Sequence, residues 1–291
     1  MRVADEYMNK QPVISMEFFP FRNDETAGAF SSTVDDLATC NPDYLSVTFG
    51  AGGSTKEGTF RTVATIMNDK KLPCVAYIAG YGLDPENLTI LLERYRSLGV
   101  KTVFVVRGDR PKNGDFIPHP DSFTNAAGLI SFISGRFDFT LGCAGYPEGH
   151  IEALSMEKDI EVLKLKVDNG ARYVVTQFFY NNEYFFNYVE KCRKAGISVP
   201  IVPGIMPVYT VAMTRALAKT CGTTITHELQ QKLDETDASD KAAVLDLGID
   251  FAVEQCKGLL LGGADGLHFY TMNRNRSTKT IINRLRQADL L

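Results

Sequence analysis

The sequence predicts an α/β protein folded as a single (β/α)8 barrel, the TIM-barrel architecture, over residues 1–291, with an inserted helical segment before the last strand. Three observations predict it. Eight short β-rich runs recur along the chain, stretches of helical length separate them, and the glycine fingerprint of an open dinucleotide-binding sheet does not follow the first run.

The runs are ISMEFF from Ile14, YLSVTF from Tyr44, CVAYIA from Cys74, TVFVV from Thr102, TLGCAGY from Thr140, YVVTQFF from Tyr173, PIVPGI from Pro200 and GLHFYT from Gly266. Their near-continuous apolar character reads as strands covered on both faces, as parallel sheets require. Amphipathic stretches at 55–68, 87–98, 156–169 and 183–195 read as the intervening helices. The first strand ends in Glu17-Phe18-Phe19-Pro20, which is no phosphate-binding turn. Glycines come after the second strand instead, in Gly50-Ala51-Gly52-Gly53-Ser54-Thr55, and read equally as a tight βα turn or a cofactor contact. Residues 220–240 break the rhythm with a polar stretch, read as an inserted surface helix and loop.

Composition narrows the partner. Hydrophobic residues make up 44% and charged residues 23% of the chain, and the net charge of -4 comes without any Lys/Arg run. That balance argues for a small-molecule partner and against nucleic acid or an anionic membrane. The first residues carry acidic groups where a signal peptide needs an apolar stretch, and no run approaches the ~20 apolar residues of a membrane span, so the expected location is cytoplasmic. Six scattered cysteines form no C-x-x-C pair and read as reduced, mostly buried thiols. His227-Glu228 opens a zinc-protease motif, but Gln231 occupies the place of its second histidine, and no metal is expected.

Active sites of this fold lie at the C-terminal ends of the strands, so polar residues there carry most of the functional signal. Glu17 interrupts an apolar strand beside Met16, Phe18 and Phe19. It reads either as a paired interior carboxylate or as a proton donor made reluctant to ionise by those neighbours. Thr48 ends the second strand, Arg107-Gly108-Asp109 follow the fourth, and Tyr146 ends the fifth. Gln177 interrupts the sixth, a neutral amide suited to an amide-bearing heterocycle, and His268, Tyr270 and Arg274 close the eighth. Asp159, Val162 and Lys166 share one helix face, which alone reads as solvated surface.

Taken in order, Glu17-Phe18-Phe19-Pro20, Ser46 to Thr55, Arg107-Gly108-Asp109, Ala144 to His150, Thr176-Gln177-Phe178-Phe179, Pro203 to Pro207 and His268 to Arg274 resemble the methylenetetrahydrofolate reductase family across nearly the whole chain. The resemblance implies a barrel that binds FAD at its mouth. It would reduce 5,10-methylenetetrahydrofolate to 5-methyltetrahydrofolate with electrons from NAD(P)H, the two substrates taking turns in a ping-pong scheme. Glu17 would be the general acid, and Asp109 would stabilise the iminium cation. Matching FAD positions are Thr48, Phe49, Ala51, Tyr77, Arg107, Gly108, Asp109, Ala126, Tyr146, His150, Ala153, Asp159 and Lys166. Asp109, Gln177 and Arg274 match substrate contacts.

The chain departs from the family pattern where Tyr77 replaces a frequent histidine and where Val162 and Leu165 replace frequent Asn and Arg. The resemblance further implies a homo-oligomer, with dependence on an accessory redox subunit as the variant arrangement. Two other readings stand beside the reductase: a flavin-independent folate-binding one-carbon or methyl transferase, and a barrel subunit of a larger redox complex.

Overall fold

The computed structural model describes residues 1–49, 56–108 and 119–291. Eight parallel strands close a barrel in sequence order: β1 (Val13–Phe18), β2 (Tyr44–Val47), β3 (Cys74–Ala79), β4 (Thr102–Val106), β5 (Thr140–Gly145), β6 (Ala171–Phe178), β7 (Ile201–Ile205) and β8 (Gly266–Tyr270). Closure is made by β8 pairing with β1, where Glu17 stands opposite Tyr270 and Ser15 opposite His268. All eight runs read from the sequence are strands, with ends shifted by at most two residues.

Alternation along each strand divides the core in two. Ile14, Met16 and Phe18 of β1, Leu45 and Val47 of β2, and Val103 and Val105 of β4 face the surrounding helices in one large cluster. Their neighbours Val13, Tyr44, Phe104, Tyr173, Val175 and Val202 form a second cluster inside the barrel. Gly142 makes room for it, because a Cβ there would sit 2.3 Å from the Tyr173 ring and 2.7 Å from that of Phe104.

The outer ring is α2 (Asp24–Ala38), α3 (Lys56–Ala64), α4 (Pro85–Leu98), α5 (Ala126–Ser134), α6 (Met156–Asp168), α7 (Asn182–Lys194), α8 (Val211–Cys221), α9 (His227–Glu235), α10 (Lys241–Leu261) and α11 (Arg276–Gln287). Sequence explains their starts. Asn23, Asp84, Asn125, Ser155, Thr210, Thr226 and Asp240 each accept a backbone N–H of the first turn, the standard remedy for the orphan donors there. The helix read over 55–68 continues from α3 into a π-helical turn at Thr65–Asp69.

Two elements correct the sequence reading. A short N-terminal helix, α1 (Val3–Asn9), has no place in a plain βα alternation. Its Val3 and Tyr7 are buried in the interior cluster, its Val3 N–H donates to Thr102 Oγ1 at 3.1 Å, and so it stoppers the end of the barrel where the strands begin. The segment at 220–240 is not simply a surface insertion. Residues 220 and 221 finish α8, and α9 buries Leu229 and Leu233, one turn apart, against Phe178, Tyr180 and Val208. Five of the six cysteines are buried, Cys221 is partly exposed, and all are free thiols. Among the described residues, no helix is long and apolar enough to cross a membrane, and no cluster of His, Cys, Asp or Glu could hold a metal ion.

Candidate active site

A cavity of about 460 Å³ opens at the end of the barrel where the strands finish. Its wall contains Glu17, Thr48, Phe49, Tyr77, Arg107, Gly108, Tyr146, His150, Gln177 and Tyr270, ten of the residues that sequence had singled out. Each sits where an inward-facing strand position or the first residues beyond it must deliver a side chain to the mouth.

Glu17 is the centre of the arrangement. Its side chain is 12% exposed, and among the described lining residues it is the single carboxylate. The end of β8 holds its backbone: Thr271 Oγ1 donates to the Glu17 carbonyl at 2.6 Å. Beneath it, His268 Nε2 stands 3.5 Å from Glu17 Oε2, while Ser15 Oγ and His268 Nδ1 are 2.7 Å apart. Tyr77 stacks on Phe104 with centroids 4.4 Å apart. Burial drives the Tyr77 phenol well above its usual range, and the charge and side-chain hydrogen bond of Glu17 push it the same way. The tyrosine that replaces the expected histidine therefore keeps its proton beside Glu17.

On the far wall, Tyr146 meets His150 edge to face at 4.6 Å, and Lys166 Nζ lies 5.6 Å from the Tyr146 ring centre. Lys166 is buried and donates to the Ala144 carbonyl at 3.0 Å. Asp159, two turns earlier on the same face of α6, is also buried; burial raises its carboxyl above its usual value, and Lys166 and His150 partly offset that. The pair read from sequence as solvated surface is thus packed behind the cavity wall. Val162 and Leu165 on the same helix are about half exposed. Arg107 pairs with Glu152 at 2.5 Å. Gly108 has φ +87°, and a Cβ there would lie 2.9 Å from that of Ala79.

Other expected residues lie outside the cavity wall. Ala126 begins α5, and Ala153 sits in the turn after β5, its N–H donating to the His150 carbonyl at 2.8 Å. Arg274 is exposed on the rim, its guanidinium 5.3 Å from the Tyr209 ring centre. Ala51 and Asp109 fall outside the described residues. Sequence reading passed over Phe104, Met206, Leu217 and Met272, which also line the cavity. The period-2 alternation of β4 would have found Phe104; the others reach the wall from βα loops and α8, for which no periodicity speaks.

Comparison with known proteins decides the family: its model, described as methylenetetrahydrofolate reductase, matches residues 2–286. The chain belongs to the methylenetetrahydrofolate reductase family. Methylenetetrahydrofolate reductase (NADH) 1 of Arabidopsis thaliana is 34% identical over 305 residues, covering 99% of this chain and 51% of that protein. Methylenetetrahydrofolate reductase 1 of Schizosaccharomyces pombe is 32% identical over 296 residues, covering 99% and 49%. The chain thus spans about half the length of these eukaryotic relatives. The 5,10-methylenetetrahydrofolate reductase of Escherichia coli K12 is 30% identical over 272 residues, covering 94% of this chain and 90% of that one. Among solved structures, a Clostridium thermocellum protein described as binding two copies of 5-methyl-5,6,7,8-tetrahydrofolic acid shares the fold, with a TM-score of 0.68, 16% identity and 98% coverage of both chains.

Proposed function

We propose that the chain reduces 5,10-methylenetetrahydrofolate to 5-methyltetrahydrofolate with electrons from NAD(P)H, using FAD. The observation that carries this reading is Glu17, the single carboxylate among the described residues of a cavity walled by Tyr77, Phe104, Tyr146 and Phe178. Family membership supports methylenetetrahydrofolate reduction as the reaction, and in this reading Glu17 serves it. The methylene bridge cannot accept a hydride until its five-membered ring opens. Glu17 gives its proton to the departing nitrogen, leaving an N5 iminium cation, and the apolar wall keeps water from competing for that cation. Asp109 stabilises the cation by charge. Gln177 offers an amide to the pterin and the nicotinamide in turn, and Arg274 on the rim takes the folate carboxylate tail.

The chain's own residues fit FAD. Asp159 Oδ2 is buried without a hydrogen-bond partner among the described residues, the buried Lys166 shares its helix face, and at Gly108 the close approach of Ala79 leaves no room for a Cβ, so bare backbone borders the cavity there. Thr48, Phe49, Tyr77, Arg107, Gly108, Tyr146 and His150 would hold the flavin from the cavity wall, with Ala51, Ala126, Ala153, Asp159 and Lys166 around it. Bound FAD supplies a carrier that takes a hydride from one substrate and gives it to the next.

An anaerobic absorbance titration tests the proposal. NADH or NADPH should bleach a bound flavin spectrum, and methylenetetrahydrofolate should restore it. Half-exposed Val162 and Leu165 supply no donors to a dinucleotide and favour the flavin-independent transferase as second reading. Colourless protein that still binds methyltetrahydrofolate would select it, and bleaching only after a second protein is added would select the redox subunit.

A further inference from the structure

Tyr146 and His150 reach the cavity from a tight turn after β5, closed by the Gly149 N–H donating to the Tyr146 carbonyl at 2.9 Å, with Gly149 at φ +85°. Glu148 stands in the same turn and takes no part in the cavity wall or in the proposed chemistry. Its carboxylate accepts the backbone N–H of Thr224, with Oε2 at 3.0 Å and Oε1 at 3.2 Å. The two residues are 76 positions apart.

Thr224 lies in the turn between α8 and α9. Among the described residues, α8 is the helix that adds side chains to the cavity wall, through Leu217 and Cys221 in its last two turns. It stops at Gly222, φ +71°, and the chain beyond is tied to the strand ends from two sides. Thr223 Oγ1 donates to the Phe178 carbonyl at the end of β6, at 3.0 Å and buried. Glu148 ties the next residue to the exit of β5. Ile151, from the same loop as Glu148, lies over Gly222, where an added Cβ would sit 3.7 Å from that of Ile151. A charged acceptor on a backbone N–H fixes position more firmly than a neutral one.

We propose that Glu148 is a positioning residue for the substrate cavity: by holding the Thr224 N–H it seats the end of α8, so that Leu217 and Cys221 close the wall on the guest. Glu148 acts through α8 and meets no guest itself. A wall that is badly seated weakens ground state and transition state alike, which raises KM and spares kcat. That the guest is methylenetetrahydrofolate rests on the reductase reading; the seating of α8 does not.

Cys221 supplies a readout independent of turnover, because it is the partly exposed thiol of the six and the other five are buried. In the protein as purified, Glu148→Ala should speed alkylation of Cys221 by iodoacetamide roughly fivefold or more, located by peptide mass, with the five buried thiols unchanged. The same variant should raise the KM for methylenetetrahydrofolate by roughly fivefold, with kcat within a factor of about two. Glu148→Gln keeps an oxygen that accepts the Thr224 N–H and should match the wild type in both measurements. A wild-type alkylation rate in Glu148→Ala, an equal acceleration in Glu148→Gln, buried thiols that speed up together with Cys221, or a faster Cys221 with KM unchanged would each overturn the proposal. Wild-type protein inert toward the folate, whose Cys221 still responds to Glu148→Ala and not to Glu148→Gln, would overturn the reductase reading while supporting the seating of α8.

Discussion

Asn273 brackets the backbone of Phe19: its Oδ1 accepts the Phe19 N–H at 2.8 Å, and its Nδ2 donates to the Phe19 carbonyl at 3.0 Å. The two residues are 254 positions apart, and the asparagine reaches this geometry from a left-handed backbone at φ 54°. The pair ties the exit of β1 to the exit of β8, on either side of Glu17.

Asn273→Ala should therefore loosen the rim. Losing both bonds is expected to cost about 1–3 kcal/mol of stability, and Phe19, a cavity-lining residue that is 45% exposed, should wander. Chemical denaturation with parallel KM measurements checks this, the expectation being a raised folate KM.

Glu17→Gln keeps the shape of the acid and removes its proton. Reduction of methylenetetrahydrofolate is expected to fall by roughly 10²–10⁴, while nicotinamide-driven bleaching stays within a few fold. Rapid-mixing absorbance of the two half-reactions separates them, and equal losses in both would remove Glu17 from the role.

Asp159 makes stability depend on pH. Its folded carboxyl holds a proton more tightly than the unfolded one, because burial outweighs the help from Lys166 and His150. The protonated form therefore favours folding, and stability is lost as pH rises from the unfolded value, about 3.9, through the raised folded value. Asp159→Asn removes that loss. It should raise the melting temperature at pH 7, show little gain near pH 3.5, and weaken flavin retention, a set of outcomes that thermal melts and absorbance ratios read directly.

Gly142→Ala puts a methyl group against two aromatic rings. Overpacking of this kind costs about 1–3 kcal/mol, and because Phe104 stacks on Tyr77 the strain should reach the cavity wall. A lowered denaturation midpoint together with a perturbed near-ultraviolet tyrosine signal is the expected pair of readouts.

Leu229→Ala tests the element that sequence reading placed on the surface. With the side chain fully buried, the expected loss is about 2–5 kcal/mol, whereas a surface helix would lose less than 0.5 or so. Urea denaturation distinguishes the two.

Much of this was legible before any geometry. Runs of Val, Ile, Phe and Tyr marked the strands because burial on both faces leaves no polar alternation to hide them. Glu17 and Gln177 stood out because each breaks such a run. What escaped follows from long-range physics. Tyr7 has no periodic neighbours that announce a helix filling a barrel, and its partner Tyr44 is an ordinary strand former until the sheet closes. Leu229 and Leu233 did carry a signal, an i, i+4 apolar pair, but six charged residues between 220 and 240 outweighed it. The Asp159 and Lys166 face read as solvated because local spacing cannot show which helix face meets the barrel mouth.

The stopper formed by α1 shapes the traffic through the molecule. With Val3 and Tyr7 wedged into the far end, reactants have one doorway among the described residues, and the same doorway must pass everything that leaves. Two large guests cannot share it. A compound shaped like either one should therefore compete with both, and a product slow to depart should throttle turnover at that shared opening.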